Sequence, residues 1–224
     1  MTGSVLVEHP ERLPQEVREK LEHLLGPGED MGCARPTALL QLPPATHAEV
    51  ASQPCVRAAG YYHNALVEGP GRRSSVLLGG CDLACRGCWV PHLHPPDAGV
   101  LVPVDRLADA LLDPAHQRDG VSILGGEPFL QPDGLLALVC ALRTRGCPHI
   151  LCYSGRTYDA LLGRAFTQAA IGRILEEIDV LVDGPYVEEL ADHAGPWTGS
   201  GNQRVIDLTA TRLSGRVFVL ETRP

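Results

Sequence analysis
From about Cys55 onward, short apolar stretches alternate with segments whose apolar residues recur every three or four positions. That alternation leaves few folds open. Strands joined by helix-length crossovers pair in parallel, and such sheets need helices over their faces. The strands read as Arg73–Leu78, Val121–Leu124, His149–Tyr153 and Asp179–Val182, with Arg204–Leu208 and Val217–Leu220 closing the series. Between them, Val104, Leu107, Ala108, Leu111 and Leu112 mark one helix, and Leu135, Leu136, Leu138, Val139 and Leu142 another. Arg143 and Arg145 suit the last turn of that second helix and Gly146 its stop. Thr157 is a plausible N-cap for the segment through Leu162, and Ile171, Ile174, Leu175 and Ile178 carry a further helix. The fold class is α/β.

Residues 1–55 differ and read as an accessory segment before a main unit over 56–224. Leu13, Val17, Leu21, Leu24 and Leu25 form one apolar stripe, which predicts a helix stopped by Gly26-Pro27-Gly28 and docked on the main unit or on a partner. A formal charge of -8 argues against a protein held to nucleic acid by phosphate contacts. No apolar run approaches the roughly 20 residues that span a bilayer, and no membrane role is expected. The amino terminus lacks the pattern of a secretory signal, so the expected compartment is the cytoplasm. There, eight cysteines are ligands or buried thiols rather than disulfides.

The unusual residues gather at one place in the predicted architecture. Cys81, Gly125-Gly126-Glu127-Pro128, Ser154-Gly155 and Asp183-Gly184-Pro185 each fall just past the carboxyl end of a predicted strand. In parallel α/β sheets and barrels that rim binds ligands. Cys81, Cys85 and Cys88 form a Cys-x3-Cys-x2-Cys loop with no fourth cysteine nearby. A structural zinc site wants four ligands, and a closed four-iron cluster four thiolates. Three thiolates on a four-iron cubane leave one iron open to an exchangeable ligand; the alternative is a zinc knuckle that borrows Cys55 or His92. The remaining cysteines show no cluster spacing, and Cys140 and Cys152 sit at apolar positions as buried thiols.

The cysteine spacing resembles the shared signature of the radical S-adenosylmethionine (SAM) superfamily. Gly125-Gly126-Glu127-Pro128 is similar to its GGEP motif. Val180-Leu181-Val182-Asp183-Gly184, preceded by Tyr153-Ser154-Gly155 and followed by Ser200-Gly201-Asn202-Gln203-Arg204, resembles the glycyl-radical activases, anaerobic ribonucleotide reductase activases among them. Glu68-Gly69-Pro70-Gly71-Arg72-Arg73 resembles the Asp-Gly-Pro-Gly-x-Arg approach to the first cysteine in that family. The likeness spans roughly residues 56–210. Two departures stand out. Gly87 replaces the aromatic that the superfamily often has before the last cysteine, with Trp89 after it, an arrangement that resembles the ribonucleotide reductase activases. The Val90–Pro95 stretch departs from those activases and lacks their common Asn-Pro-x-Thr-Trp sequence.

The resemblance implies a partial, open (βα)6-type radical SAM barrel of about six parallel strands with an N-terminal accessory extension. It implies one [4Fe-4S] cluster on Cys81, Cys85 and Cys88, with S-adenosylmethionine as the second cofactor. Gly125, Gly126, Glu127 and Pro128 would hold the methionine end of SAM, Gly87 and Trp89 would lie near the adenine, and Ser154, Gly155 and Asp183 would line the rim. No conventional acid or base is implied, and no role follows for His92, His94, Asn202 or Arg204. The expected activity is reductive cleavage of SAM to a 5'-deoxyadenosyl radical. The expected target is a glycine of a partner glycyl-radical enzyme, with a flavodoxin- or ferredoxin-type electron donor. Alternatives are a radical SAM enzyme acting on a small molecule or ribosomal peptide, and a zinc-binding interaction module.

Overall fold
The computed structural model describes residues 39–220. Seven strands form one sheet: β1 (Cys55–Ala65), β2 (Arg73–Leu78), β3 (Val100–Pro103), β4 (Gly120–Gly125), β5 (Ile150–Tyr153), β6 (Val180–Asp183) and β7 (Arg204–Asp207). They lie in the order β3-β1-β2-β4-β5-β6-β7, so the sheet is not closed. The helices are α1 (His47–Ser52), α2 (Val104–Leu111), α3 (Pro132–Thr144), α4 (Tyr158–Ala165), α5 (Ala169–Glu177) and α6 (Leu208–Ser214). Among the described residues no helix is long and apolar enough to cross a membrane.

The parallel part of the sheet is smaller than the sequence suggests. β2, β4, β5 and β6 pair in parallel, whereas β1 runs antiparallel to both its neighbours and β7 antiparallel to β6. Residues 184–203 carry one 3-10 turn and no crossover helix, and β7 returns antiparallel beside β6. Val217–Leu220, expected as a strand, makes only an isolated bridge from Val219 to Ile206. The helix expected over Leu13–Leu25 lies outside the described residues. Residues 39–54 rest on the β3–β1 side: Leu40 pairs with Tyr61, and Glu49 of α1 forms an ion pair with Arg106.

Strand alternation gives the sheet two faces. Val76, Leu78, Val121, Ile123, Ile150, Cys152, Leu181 and Ile206 pack with the helices in one core. Leu135, Leu138, Val139 and Leu142 of α3 all reach 0% exposure, at i, i+3, i+4 and i+7 of one helix face, each burial stabilising by about 2 kcal/mol. The opposite face carries Leu151, Val180, Val182 and Val205 with Tyr153 and Trp197 against them.

The Glu68–Arg73 motif lies at the other end of β2 from the cysteines. Six residues of strand separate the two by about 17 Å. Arg73 is fully buried and, among the described residues, has no carboxylate partner: its Nη2 donates to the Val121 carbonyl at 2.6 Å, its Nη1 to the Pro70 carbonyl and its Nε to Ser122 Oγ. Ser122 Oγ in turn donates to the Glu68 carbonyl at 2.6 Å. This motif closes the amino-terminal end of the sheet and holds no part of the rim.

His63, beside it on β1, donates or accepts at Nδ1 with Ser74 Oγ at 2.8 Å and stacks on His116 at 4.0 Å. Burial first, then the His116 ring and the Arg118 guanidinium, push its pKa down to about 4. A folded pKa below the unfolded value of about 6.5 means that the unfolded chain takes up the proton first as pH falls. This site's stability is therefore intact above about pH 6.5 and is lost progressively toward pH 4. The expected loss is about 2 kcal/mol between pH 7 and pH 4.5, read as the difference between wild type and His63→Gln in denaturant unfolding. A difference that does not change with pH would remove His63 as the titrating group.

Candidate active site
The cysteine loop leaves β2 through Gly79-Gly80 and stays at the sheet edge by backbone bonds. Gly80 N–H donates to the Leu93 carbonyl at 2.9 Å and Cys81 N–H to the His94 carbonyl at 3.1 Å. The 3-10 turn Pro91–Leu93 thus braces the start of the loop. Inside it, Ala84 at φ 46° and Gly87 at φ 70° wind the chain through left-handed turns. A Cβ on Gly87 would meet the Glu188 carboxyl at 2.7 Å, a clash that the aromatic usual at this position would also create.

Cys81, Cys85 and Cys88 are free thiols, each half-buried. The N–H groups of Leu83 and Ala84 bond the Cys81 sulfur, which suits a thiolate, although burial is the larger influence and pushes that thiol up. Among the described residues no three His, Cys, Asp or Glu side chains, Cys55 and His92 included, converge as a site for one ion. A cubane gathers its thiolates around four irons, so its ligands stand wider apart than those of a single zinc. The donor set, three thiols on one loop, fits a four-iron cluster with one iron left open.

The GGEP segment lies directly against this loop. Gly126 N–H donates to the Leu78 carbonyl and Glu127 N–H to the Gly80 carbonyl, both at 2.8 Å. A Cβ on Gly126 would strike the Gly80 carbonyl oxygen, so the two segments touch backbone to backbone. Glu127 itself turns inward. It is 0% exposed, and its carboxyl accepts from Phe129 N–H at 3.0 Å, Gly155 N–H at 2.9 Å and Ser154 Oγ at 3.0 and 3.1 Å. Burial pushes its pKa up, against these bonds and the nearby Arg156. Glu127 therefore joins the end of β4 to the end of β5. Of the GGEP residues, the half-exposed Gly125 and Gly126 remain open at the rim, while Pro128 is buried.

Asp183 is likewise a tie. Only 1% exposed, it bonds Arg204 Nε at 2.9 Å and accepts from Tyr158 N–H at 2.6 Å at the start of α4. The Ser200–Arg204 stretch is one latch on the turn after β6. Asn202 Nδ2 donates to the Pro185 carbonyl at 2.8 Å, Gln203 Nε2 to the Gly184 carbonyl at 2.9 Å, and Ser200 Oγ accepts from Val187 N–H. These bonds assign Asn202 and Arg204 the positioning work that their sequence left open.

Trp89 is 77% exposed and meets Tyr186 edge-on, with centroids 6.3 Å apart. Arg86 pairs with Glu188 at 3.1 Å and Glu189 at 3.4 Å, which ties the cysteine loop to the segment after β6. His92 is exposed, whereas His94 Nε2 is buried without a hydrogen-bond partner. Cys147 and Cys152 are buried thiols whose pKa burial pushes up, consistent with inert packing groups. The structure adds Asp82 and Arg156 to the site: Arg156 Nη2 lies 2.6 and 2.5 Å from the two Asp82 oxygens. The only signal in the sequence was opposite charge on two loops of the same rim.

The fold and site together define an α/β protein with an open sheet whose strand ends surround a three-thiol loop. The 4Fe-4S single cluster domain family matches residues 67–206 of this chain. The anaerobic ribonucleoside-triphosphate reductase-activating protein of Haemophilus influenzae is 34% identical over 150 residues, covering 64% of this chain and 92% of that protein. Its counterpart in Escherichia coli K12 is 33% identical over 153 residues, covering 65% and 94%. That of Pasteurella multocida is 32% identical over 158 residues, covering 66% and 96%. The chain belongs to this family of single-cluster activating proteins. It is a radical SAM enzyme whose cofactors are a 4Fe-4S cluster and SAM.

Proposed function
We propose that this chain cleaves SAM reductively and uses the resulting radical to install a glycyl radical on a partner enzyme of the anaerobic ribonucleotide reductase kind. One observation carries the reading: the cysteine loop, Gly125–Glu127 and Ser154-Gly155 meet in direct contact at one rim of the sheet. When bound, the cluster supplies one electron to the sulfonium, giving methionine and a 5'-deoxyadenosyl radical that takes a hydrogen atom from its target.

The chain's own residues bind and orient. Cys81, Cys85 and Cys88 would hold the cluster. The backbone of Gly125 and Gly126, without Cβ atoms in the way, takes the methionine end of SAM. Glu127 and Ser154 tie the end of β4 to β5 behind that backbone, and Asp183 is engaged by Arg204 and Tyr158, rather than reaching for the ligand. Trp89, with Tyr186 beside it, offers an aromatic surface for the adenine in place of the residue that Gly87 cannot supply. The fold is then a partial barrel, and its open side suits entry of a loop from another protein. A small one-electron carrier of the flavodoxin or ferredoxin type serves as donor.

The test is anaerobic incubation of reconstituted protein with reductant, SAM and a glycyl-radical ribonucleotide reductase. The expected result is 5'-deoxyadenosine together with a glycyl radical signal in electron paramagnetic resonance (EPR). 5'-Deoxyadenosine without a radical on the reductase would retain the chemistry and reject the partner. No 5'-deoxyadenosine from a reducible cluster would reject both.

A further inference from the structure
Besides the Arg86 pairs with Glu188 and Glu189, an ion pair between residues 74 positions apart joins the cysteine loop to the end of β5. Asp82 follows the first cysteine directly, and Arg156 follows Ser154-Gly155. Arg156 is 20% exposed at its side chain and Asp82 49%, so the pair is partly withdrawn from water. A charge-assisted contact in such a place is stronger and more directional than a surface pair.

Arg156 is itself held by the network around Glu127. Its N–H donates to Ser154 Oγ at 3.0 Å, and Ser154 Oγ donates to Glu127. Its carbonyl accepts from Gly184 N–H at 3.2 Å. Next to it, a Cβ on Gly155 would strike Leu83 of the cysteine loop, so loop and rim also touch through an apolar contact. The ends of β4, β5 and β6 thus converge on the backbone of one residue, whose guanidinium reaches across to the loop. Among the described residues the buried Arg156 Nε has no hydrogen-bond partner, and the guanidinium pairs with Asp82.

We propose that Arg156 is a positioning residue that clasps Asp82 and holds the Cys81–Cys88 loop against the SAM-binding rim. The clasp fixes the loop that would carry the cluster against Gly125 and Gly126, so it governs SAM binding without touching the reacting atoms. This rests on the reading that SAM binds at this rim.

The test uses the full chain, anaerobically reconstituted, as wild type, Arg156→Gln, Asp82→Asn, the double variant and Arg156→Lys. Iron and sulfide content, the EPR spectrum of the reduced cluster and its change on titration with SAM are read for each. Each single variant should weaken SAM binding about tenfold, the scale of a coupled pair, and the double variant no further. Arg156→Lys should recover most of the affinity and the SAM-dependent spectral change, which a residue that merely stabilises the fold would not govern. SAM titrations like the wild type's, or two single effects that add in full, would overturn the clasp. If Arg156→Gln does not hold iron, retention by Arg156→Lys supports the clasp and loss in both overturns it. A wild-type spectrum that does not respond to SAM would instead overturn the reading on which the clasp rests, and the clasp with it.

Discussion

Cys85→Ala is expected to abolish 5'-deoxyadenosine formation, with the signal falling to that of reductant and SAM alone. Cys85 is the middle thiol of a set that has no spare: the remaining cysteines are Cys33, Cys55, Cys140, Cys147 and Cys152. Cys147 and Cys152 are buried away from the loop, packed in the main core. The described residues bring no third ligand beside Cys81 and Cys88. Two thiolates cannot hold three irons of a cubane, so the cluster itself should be lost rather than slowed. The measurement is iron and acid-labile sulfide per chain alongside product. Retained iron with normal product would dismiss Cys85 as a ligand. Thermal unfolding of the apoproteins should differ little, because the half-buried Cys85 accepts only one backbone bond, Cys88 N–H to its carbonyl at 3.2 Å, which alanine keeps.

Glu127→Ala should act through the rim instead. Alanine leaves Phe129 N–H, Gly155 N–H and Ser154 Oγ without their acceptor in a site that water does not reach. Orphaned buried donors cost about 1–3 kcal/mol each, so a loss of about 4 kcal/mol in unfolding free energy is expected after partial relaxation. The tie between β4 and β5 also disappears, and with it the fixed position of Gly125 and Gly126. SAM affinity should therefore fall together with stability. Glu127→Gln keeps the shape and one acceptor oxygen but turns an N–H2 toward donors, and should lie between alanine and wild type. Denaturant midpoints and SAM titration of the reduced cluster measure the two effects. An alanine variant of full stability would mean that the carboxyl is not the acceptor for these three donors.

Much of this site was legible because its signals are local. Cys-x3-Cys-x2-Cys is a spacing along one loop, and Gly-Gly-Glu-Pro a run of four residues after an apolar strand. The helices α2 and α3 were legible for the same reason, since a buried stripe repeats within the element. β1 escaped notice because its buried alternate positions are Val56, Ala58 and Gly60, two of which carry almost no apolar signal. β3 has only four residues, and α1 buries none of its own. Val217–Leu220 misled in the opposite way. Its apolar residues are 38–44% exposed at Val217, Phe218 and Val219, and pair with β7 at one point.

The sequence by itself determined the chemistry on offer: three thiols and no fourth, small residues beyond the strand ends, and the βα alternation that brings those ends to one rim. Tertiary structure decided which way the polar side chains face. Glu127 and Asp183 look like ligands for a small molecule when read along the chain, yet each is spent on bonds to another strand end. Asp82 and Arg156 look like ordinary surface charges and form an ion pair between the cysteine loop and the end of β5. Local sequence fixes period, turn and spacing through bonds of short reach. The partner of a buried carboxylate is chosen only when strands from distant parts of the chain converge, because desolvation then compels it to find whichever donors arrive.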